Sequence, residues 1–141
     1  MSYCTQSDIE QYLPGRELAE ITDDVAGDTT VSLLVTDAIA AADGLIDSFV
    51  GKHYLVPLAA PVPALIRDFS RVIAIWKLYG RREVVPSTRQ TAYEDVLAQL
   101  KAIAEGTRTL GVEPIPPVSS SEKAARGGPD QVFTRDSLDE Y

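Results

Sequence analysis

Histidine and cysteine occur once each, as His53 and Cys4, so the side chains that most often bind zinc or carry nucleophilic chemistry are nearly missing. A zinc site needs about four such ligands and is excluded by count. Cys4 cannot close an intramolecular disulfide, and a single thiol suits a reducing compartment. It has no histidine near it in sequence to activate it as a nucleophile. No glycine-rich phosphate loop is present. Long apolar runs are also missing: none approaches the roughly 20 residues of a membrane helix. The N-terminus lacks a basic stretch followed by an apolar one, so no signal peptide is expected. Bases are the minority charge, 13 Lys and Arg against 21 Asp and Glu, for a net charge of -8. A protein that wraps nucleic acid shows a basic footprint, which the chain taken whole does not have. These absences predict no catalytic residues, no cofactor and no metal, in a protein made in the cytoplasm. Acidity of this degree serves solubility, or it marks a surface meant to repel a polyanion.

What is present is a helical pattern. At 141 residues and 45% hydrophobic content, the chain is long enough for one domain with its own core. Thr5, with Asp8 three positions on, has the capping-box pattern, and a short helix follows that stops at Pro14-Gly15. A second short turn is expected from Arg16 to Ile21, then a polar loop from Asp23 to Thr29. That loop's acids, Asp23, Asp24 and Asp28, lack the ligand spacing of a calcium loop and suit capping and solvation instead. Thr30 is the expected cap of a helix of about 20 residues, whose apolar stripe runs through Val31, Leu34, Val35, Ala38, Ala42, Leu45, Ile46 and Phe49 to Gly51. Pro63 suits the first turn of a third helix, presenting Leu65, Ile66, Phe69, Val72, Ile73, Trp76 and Tyr79 inward. Ile75 and Leu78 widen that face, which predicts a central position. Ser87 with Gln90 reads as another capping box. The fourth helix carries Tyr93, Val96, Leu97, Leu100 and Ile103 and closes at Gly106. No internal repeat is found. The prediction is an all-α fold: a small bundle of about four helices over 1–111, and an extended C-terminal arm over 112–141.

Two segments do not fit a plain bundle. "GKHYLVPLAAPVPALIRDF", from Gly51 to Phe69, places a proline-punctuated apolar strip between the two helices expected to be longest. Its prolines fix its path and remove N–H donors that would need partners. Tyr54, Leu55, Val56 and Leu58 must be covered by something, either the next copy of the chain or this domain's own core. The arm combines prolines, serines and glycines that cannot build a core with a terminal apolar cluster, Val132, Phe133 and Leu138, that looks like an anchor.

Charge is polarised along the chain. Arg67, Arg71, Lys77, Arg81, Arg82 and Arg89, with Lys52, make the middle basic. They form either a solvated face paired with Asp68 and Glu83 or a contact for an acidic partner. The arm, including Arg135, holds six acids against three bases. Such polarity favours head-to-tail contact between copies, the geometry that closes into rings. His53, between Lys52 and Tyr54, reads as a packing or solvated residue, because no orienting partner can be named for a catalytic one.

The order of parts resembles a protein family of Mu-like phages encoded in the head-to-tail module. The resemblance rests on "YCTQSDIEQYLP", "ADGLIDSFVGKHY", "LVPLAAPVPALIRDFSRVIAIWKLYGRR" and the ending "FTRDSLDEY", and it spans nearly the whole chain. More loosely, the chain is similar to the helical head-completion or connector adaptors of long-tailed phages. That resemblance implies a virion structural protein of the neck, forming a ring of about 12 copies. It implies portal protein above, a stopper or tail-completion protein below, DNA passing through without specific binding, and no membrane partner. Tyr54, Leu55, Val56, Leu58, Arg81, Arg82, Phe133, Arg135 and Leu138 are then the expected interface. Asp37, Asp43, Asp47, Glu94, Asp95 and Glu105 are the expected acids of a lumen that repels the phosphate backbone. A tail-proximal completion or stopper protein and a small helical DNA-binding regulator are the alternative readings.

Overall fold

The computed structural model describes residues 1–25 and 30–115. Among them are five helices and no strand: α1 Gln6–Glu10, α2 Gly15–Thr22, α3 Ser32–Val50, α4 Ala64–Gly80 and α5 Ser87–Ala104. The all-α expectation holds, and the turn expected after Pro14 is a full helix of its own. The proline-rich strip joins α3 and α4, but these are not the two longest helices: α5, with 18 residues, exceeds the 17 of α4.

The start of α1 follows its sequence signal. The Thr5 hydroxyl accepts from the Asp8 N–H at 3.3 Å, and the Asp8 carboxylate accepts from the Thr5 N–H at 2.8 Å. Cys4 and Ile9, at the spacing of a hydrophobic staple, are both in the core. Two other capping expectations are corrected. Val31, not Thr30, is the N-cap of α3, and its N–H donates instead to the Thr22 hydroxyl at 3.0 Å. Pro86, not Ser87, is the N-cap of α5, and Gln90 accepts from the Trp76 indole N–H at 2.7 Å rather than closing a box. Prolines stand at three N-caps (Pro14, Pro63 and Pro86), where their fixed φ restricts the entering chain but no side chain accepts from the first turn. At the end of α5, Gly106 has φ +79°, a left-handed conformation that glycine adopts without steric cost.

Helix α4 is central, as its wide apolar face predicts: it packs on α1, α2, α3 and α5. Ile66, Phe69, Ile73, Ala74, Ile75, Leu78 and Tyr79 of α4 are buried, and they meet Val35, Ile39, Ala42, Ile46 and Val50 of α3 and Val96, Leu100 and Ile103 of α5. Each such Leu or Ile side chain contributes about 1.5–3 kcal/mol by leaving water. Leu34, Leu45, Phe49 and Val72 lie at the margin of this core. Trp76 stacks on Tyr93 with ring centroids 3.9 Å apart, which joins α4 to α5 along one edge.

Candidate subunit interface

The strip after α3 divides its apolar side chains between inside and outside. Tyr54 and Leu58 are 4% and 5% exposed and belong to the core; Leu55 and Val56, between them, are 78% and 39% exposed. The Val56–Pro57 and Ala60–Pro61 peptide bonds are cis. Of the two ways to cover this strip, the structure uses the domain's own core for half of it and leaves Leu55 and Val56 open to solvent.

The strip is fastened from beneath by the N-terminal segment. The Tyr3 hydroxyl donates to Asp47 and accepts from the Leu58 N–H at 3.0 Å. The Tyr3 N–H donates to Asp43 at 3.0 Å, and the Ser70 hydroxyl donates to the same carboxylate at 2.6 Å. Ser70 Oγ also lies 3.2 Å from Cys4 Sγ. One tyrosine thus joins α3, the strip and, through Asp43 and Ser70, α4. Burial and then the Asp47 hydrogen bond push the Tyr3 hydroxyl up to about 12, so it remains a donor at neutral pH. Burial pushes the Cys4 thiol up to about 11, which leaves it protonated and a packing group.

Above the strip, the chain returns after α5. The Leu110 N–H donates to the Tyr54 hydroxyl at 3.1 Å, and the Ile115 N–H donates to the His53 carbonyl at 2.7 Å. His53 Nε2 lies 3.0 Å from the Ala104 carbonyl at the end of α5. The lone histidine is exposed, with its ring against the carbonyl end of α5. Between strip and returning chain lies an apolar cleft of about 240 Å³, lined by Tyr54, Leu55, Leu58, Ala59, Pro63, Val112 and Glu113.

The basic turn is organised differently. Arg81 makes a two-pronged ion pair with Asp24, at 2.9 and 3.0 Å, and donates to the carbonyls of Ile21 and Thr22. Arg82 donates to the carbonyls of Glu20 and Asp23 and lies 3.5 Å from Asp24. Together they supply the donors that the last carbonyls of α2 lack. The Arg81 hydrogen bond holds the Asp24 carboxyl below its ordinary range. Arg81 and Arg82, expected at a partner surface, are engaged within the chain, and the partner of Arg81 is Asp24 rather than Glu83. Arg71 pairs with Asp68 at 3.0 Å and lies over the Tyr12 ring, 3.4 Å from its centroid. Glu17 accepts from the Tyr79 hydroxyl, a tie between α2 and α4 that no sequence pattern signals.

The acids expected to face a lumen separate into two groups. Asp37, Glu94, Asp95 and Glu105 are exposed. Asp43 is corrected: it is 8% exposed and holds Tyr3 and Ser70. Burial pushes its carboxyl up, and the Ser70 and Tyr3 hydrogen bonds only partly oppose that. Asp47 is half-buried and occupied by Tyr3. The missed residue of this region is Tyr3. Its signal was the apolar pair Tyr3-Cys4 placed just before a capping box, where a staple residue belongs. Phe133, Arg135 and Leu138 lie outside the described residues. Among the described residues, no group of three His, Cys, Asp or Glu could hold a metal ion, and no helix is long and apolar enough to cross a membrane.

Comparison with curated proteins gave no match. The family model described as Bacteriophage Mu, Gp36 matches residues 3–127, most of the chain, and the protein belongs to that phage family.

Proposed function

With membership of that phage family as the premise, we propose that the protein is a virion structural component of the neck. In this reading it is a head-completion adaptor, a connector that forms a ring below the portal protein and passes the genome to a stopper or tail-completion protein. The observation that carries the reading is the family match over residues 3–127. It is supported by the exposed Leu55 and Val56 on a strip whose neighbours are anchored in the core, a shape suited to burial against a second copy. The role asks for shape and charge rather than catalysis. Asp37, Glu94, Asp95 and Glu105 are exposed, and in this reading they line an acidic channel, where repulsion of phosphate would keep DNA from binding the wall. With Arg81 and Arg82 engaged by α2, the basic turn offers little to a DNA-binding role.

Mass photometry of the purified protein, alone and mixed with portal protein, tests the proposal. A discrete ring, or recruitment that depends on portal, is the expected result. A monomer that ignores an intact portal ring would overturn it in favour of a tail-proximal role. Salt-sensitive DNA binding in the micromolar range would instead favour a regulator.

A further inference from the structure

The apolar cleft over the strip has a candidate occupant within the same chain. We infer that the segment around Phe133 docks into the cleft of its own molecule, against Tyr54 and Leu58, and covers the exposed Leu55. The described chain ends at Ile115, which is hydrogen-bonded to His53; Val112 and Glu113, just before it, are themselves walls of the cleft. The chain therefore departs from the edge of the cleft. From Pro116 to Gln131 there are 16 residues before Val132 and Phe133. At up to about 3.3–3.6 Å per residue, that length reaches back to its starting point with slack. A tether of this kind holds its end at roughly millimolar effective concentration, so the molecule's own cleft outcompetes that of another copy in dilute solution.

Size and charge agree. A cavity of roughly 150 Å³ is enough for a benzene ring, and the cleft offers about 240 Å³. It is apolar apart from the Tyr54 hydroxyl, already paired with Leu110, and Glu113 at the rim. Arg135 follows Phe133 by two positions, so in an extended segment it lies on the same side and brings the opposite charge towards Glu113. The inference does not depend on the connector reading: the docking is a property of the isolated chain, and in a ring the segment would give up Leu55 to the next copy.

Disulfide trapping in the full-length protein tests it. Ala59→Cys lies in the cleft wall, and Gln131→Cys, two positions before Phe133, lies on the same side of an extended segment; the native Cys4 is only 2% exposed and stays out of the reaction. At about 1 µM protein, oxidation is expected to give an intramolecular disulfide, favoured over the intermolecular one by on the order of 10²- to 10³-fold. The tether alone sustains that preference, so docking is read from the rate: adding Phe133→Ala should slow the intramolecular disulfide several-fold. A control pair, Ser87→Cys with Gln131→Cys, places the first thiol at the far end of α5, about 25 Å away, and should trap slowly. Equal trapping in the control, or insensitivity to Phe133→Ala, would overturn the inference. So would cross-links formed only between molecules, which would place the segment on a second copy instead. If the cysteine pairs fold poorly, methyl NMR of the otherwise native protein supplies the reading. Shifts of the Leu55 and Leu58 methyls on Phe133→Ala are expected, and their absence would have the same negative meaning.

Discussion

The turn after α4 and the strip before it each invite two readings from sequence, and the structure resolves them differently. The turn is charged and reads as a solvated face or a contact for a partner; the strip is apolar and reads as core or as a contact between copies. In the folded chain, Arg81 and Arg82 are turned onto the carbonyl end of α2, while Leu55 and Val56 face water. A run of arginines close to a short helix therefore has a local use to be excluded before an external partner is invoked. An apolar loop anchored at Tyr54 and Leu58 can hold the residues between them outward at fixed positions.

The sharpest way to break this contrast uses two positions three residues apart. Leu58→Asp puts an unpaired charge into the core and is expected to cost about 3–5 kcal/mol, enough to unfold much of the protein in a thermal melt. Leu55→Asp is expected to change stability by less than about 0.5 kcal/mol while abolishing ring formation or portal recruitment. Equal destabilisation by both would mean that the strip is core throughout. Next in size is Tyr3→Phe, which leaves the Leu58 N–H without its partner and is expected to cost about 1–3 kcal/mol. Hydrogen exchange should locate the loosening at Leu58 rather than in α5.

A smaller effect is expected from pH. Burial raises the Asp43 carboxyl, so the native state retains a proton that the unfolded chain has released. The share of stability due to Asp43 is full below its unfolded value and is lost as pH rises through its folded value. Asp8 has the opposite sign: burial raises it, but the Thr5 hydrogen bonds outweigh that and leave it lowered, so its contribution is lost on acidification. Against Asp43→Asn, in which the Asp8 contribution cancels, the wild-type protein should gain in relative melting temperature as pH falls from neutral towards the ordinary carboxylate range. The smallest change belongs to the turn. Arg81→Ala is expected to lower the melting temperature slightly, with hydrogen exchange accelerating in α2, and to leave assembly of the folded protein intact. Loss of assembly without loss of stability would restore the turn as a partner surface.

Much of this architecture was legible in the sequence because periodicity reports burial directly. The stripes of α3, α4 and α5 and the capping box at Thr5 are local signals, and the structure follows them. Those that misled were also local. Thr30 and Ser87 have the chemistry of caps, but Val31 and Pro86 hold the cap positions, because Thr22 and Trp76, distant in sequence, take the neighbouring polar groups. Asp43 was read as a lumen acid because a carboxylate on a helix is usually exposed. Its burial depends on Tyr3 and Ser70, which lie 40 and 27 positions away. The division of the strip into anchored and exposed side chains was illegible for the same reason, since it is set by a hydrogen bond from Leu58 to a tyrosine at the other end of the domain.

The arginine caps on α2 have a consequence for the order of folding. A helix of 8 residues is marginal by itself, because its nucleation cost is repaid by too few hydrogen bonds. The donors that close its last turn arrive from Arg81 and Arg82, about 60 positions later in the chain, at the end of another helix. α2 therefore depends on α4 for its closing donors, and it is expected to open before α4 when the protein unfolds. Native-state exchange should find its amides opening at lower free energy than those of α4, with the gap widened in Arg81→Ala because that substitution removes donors from α2.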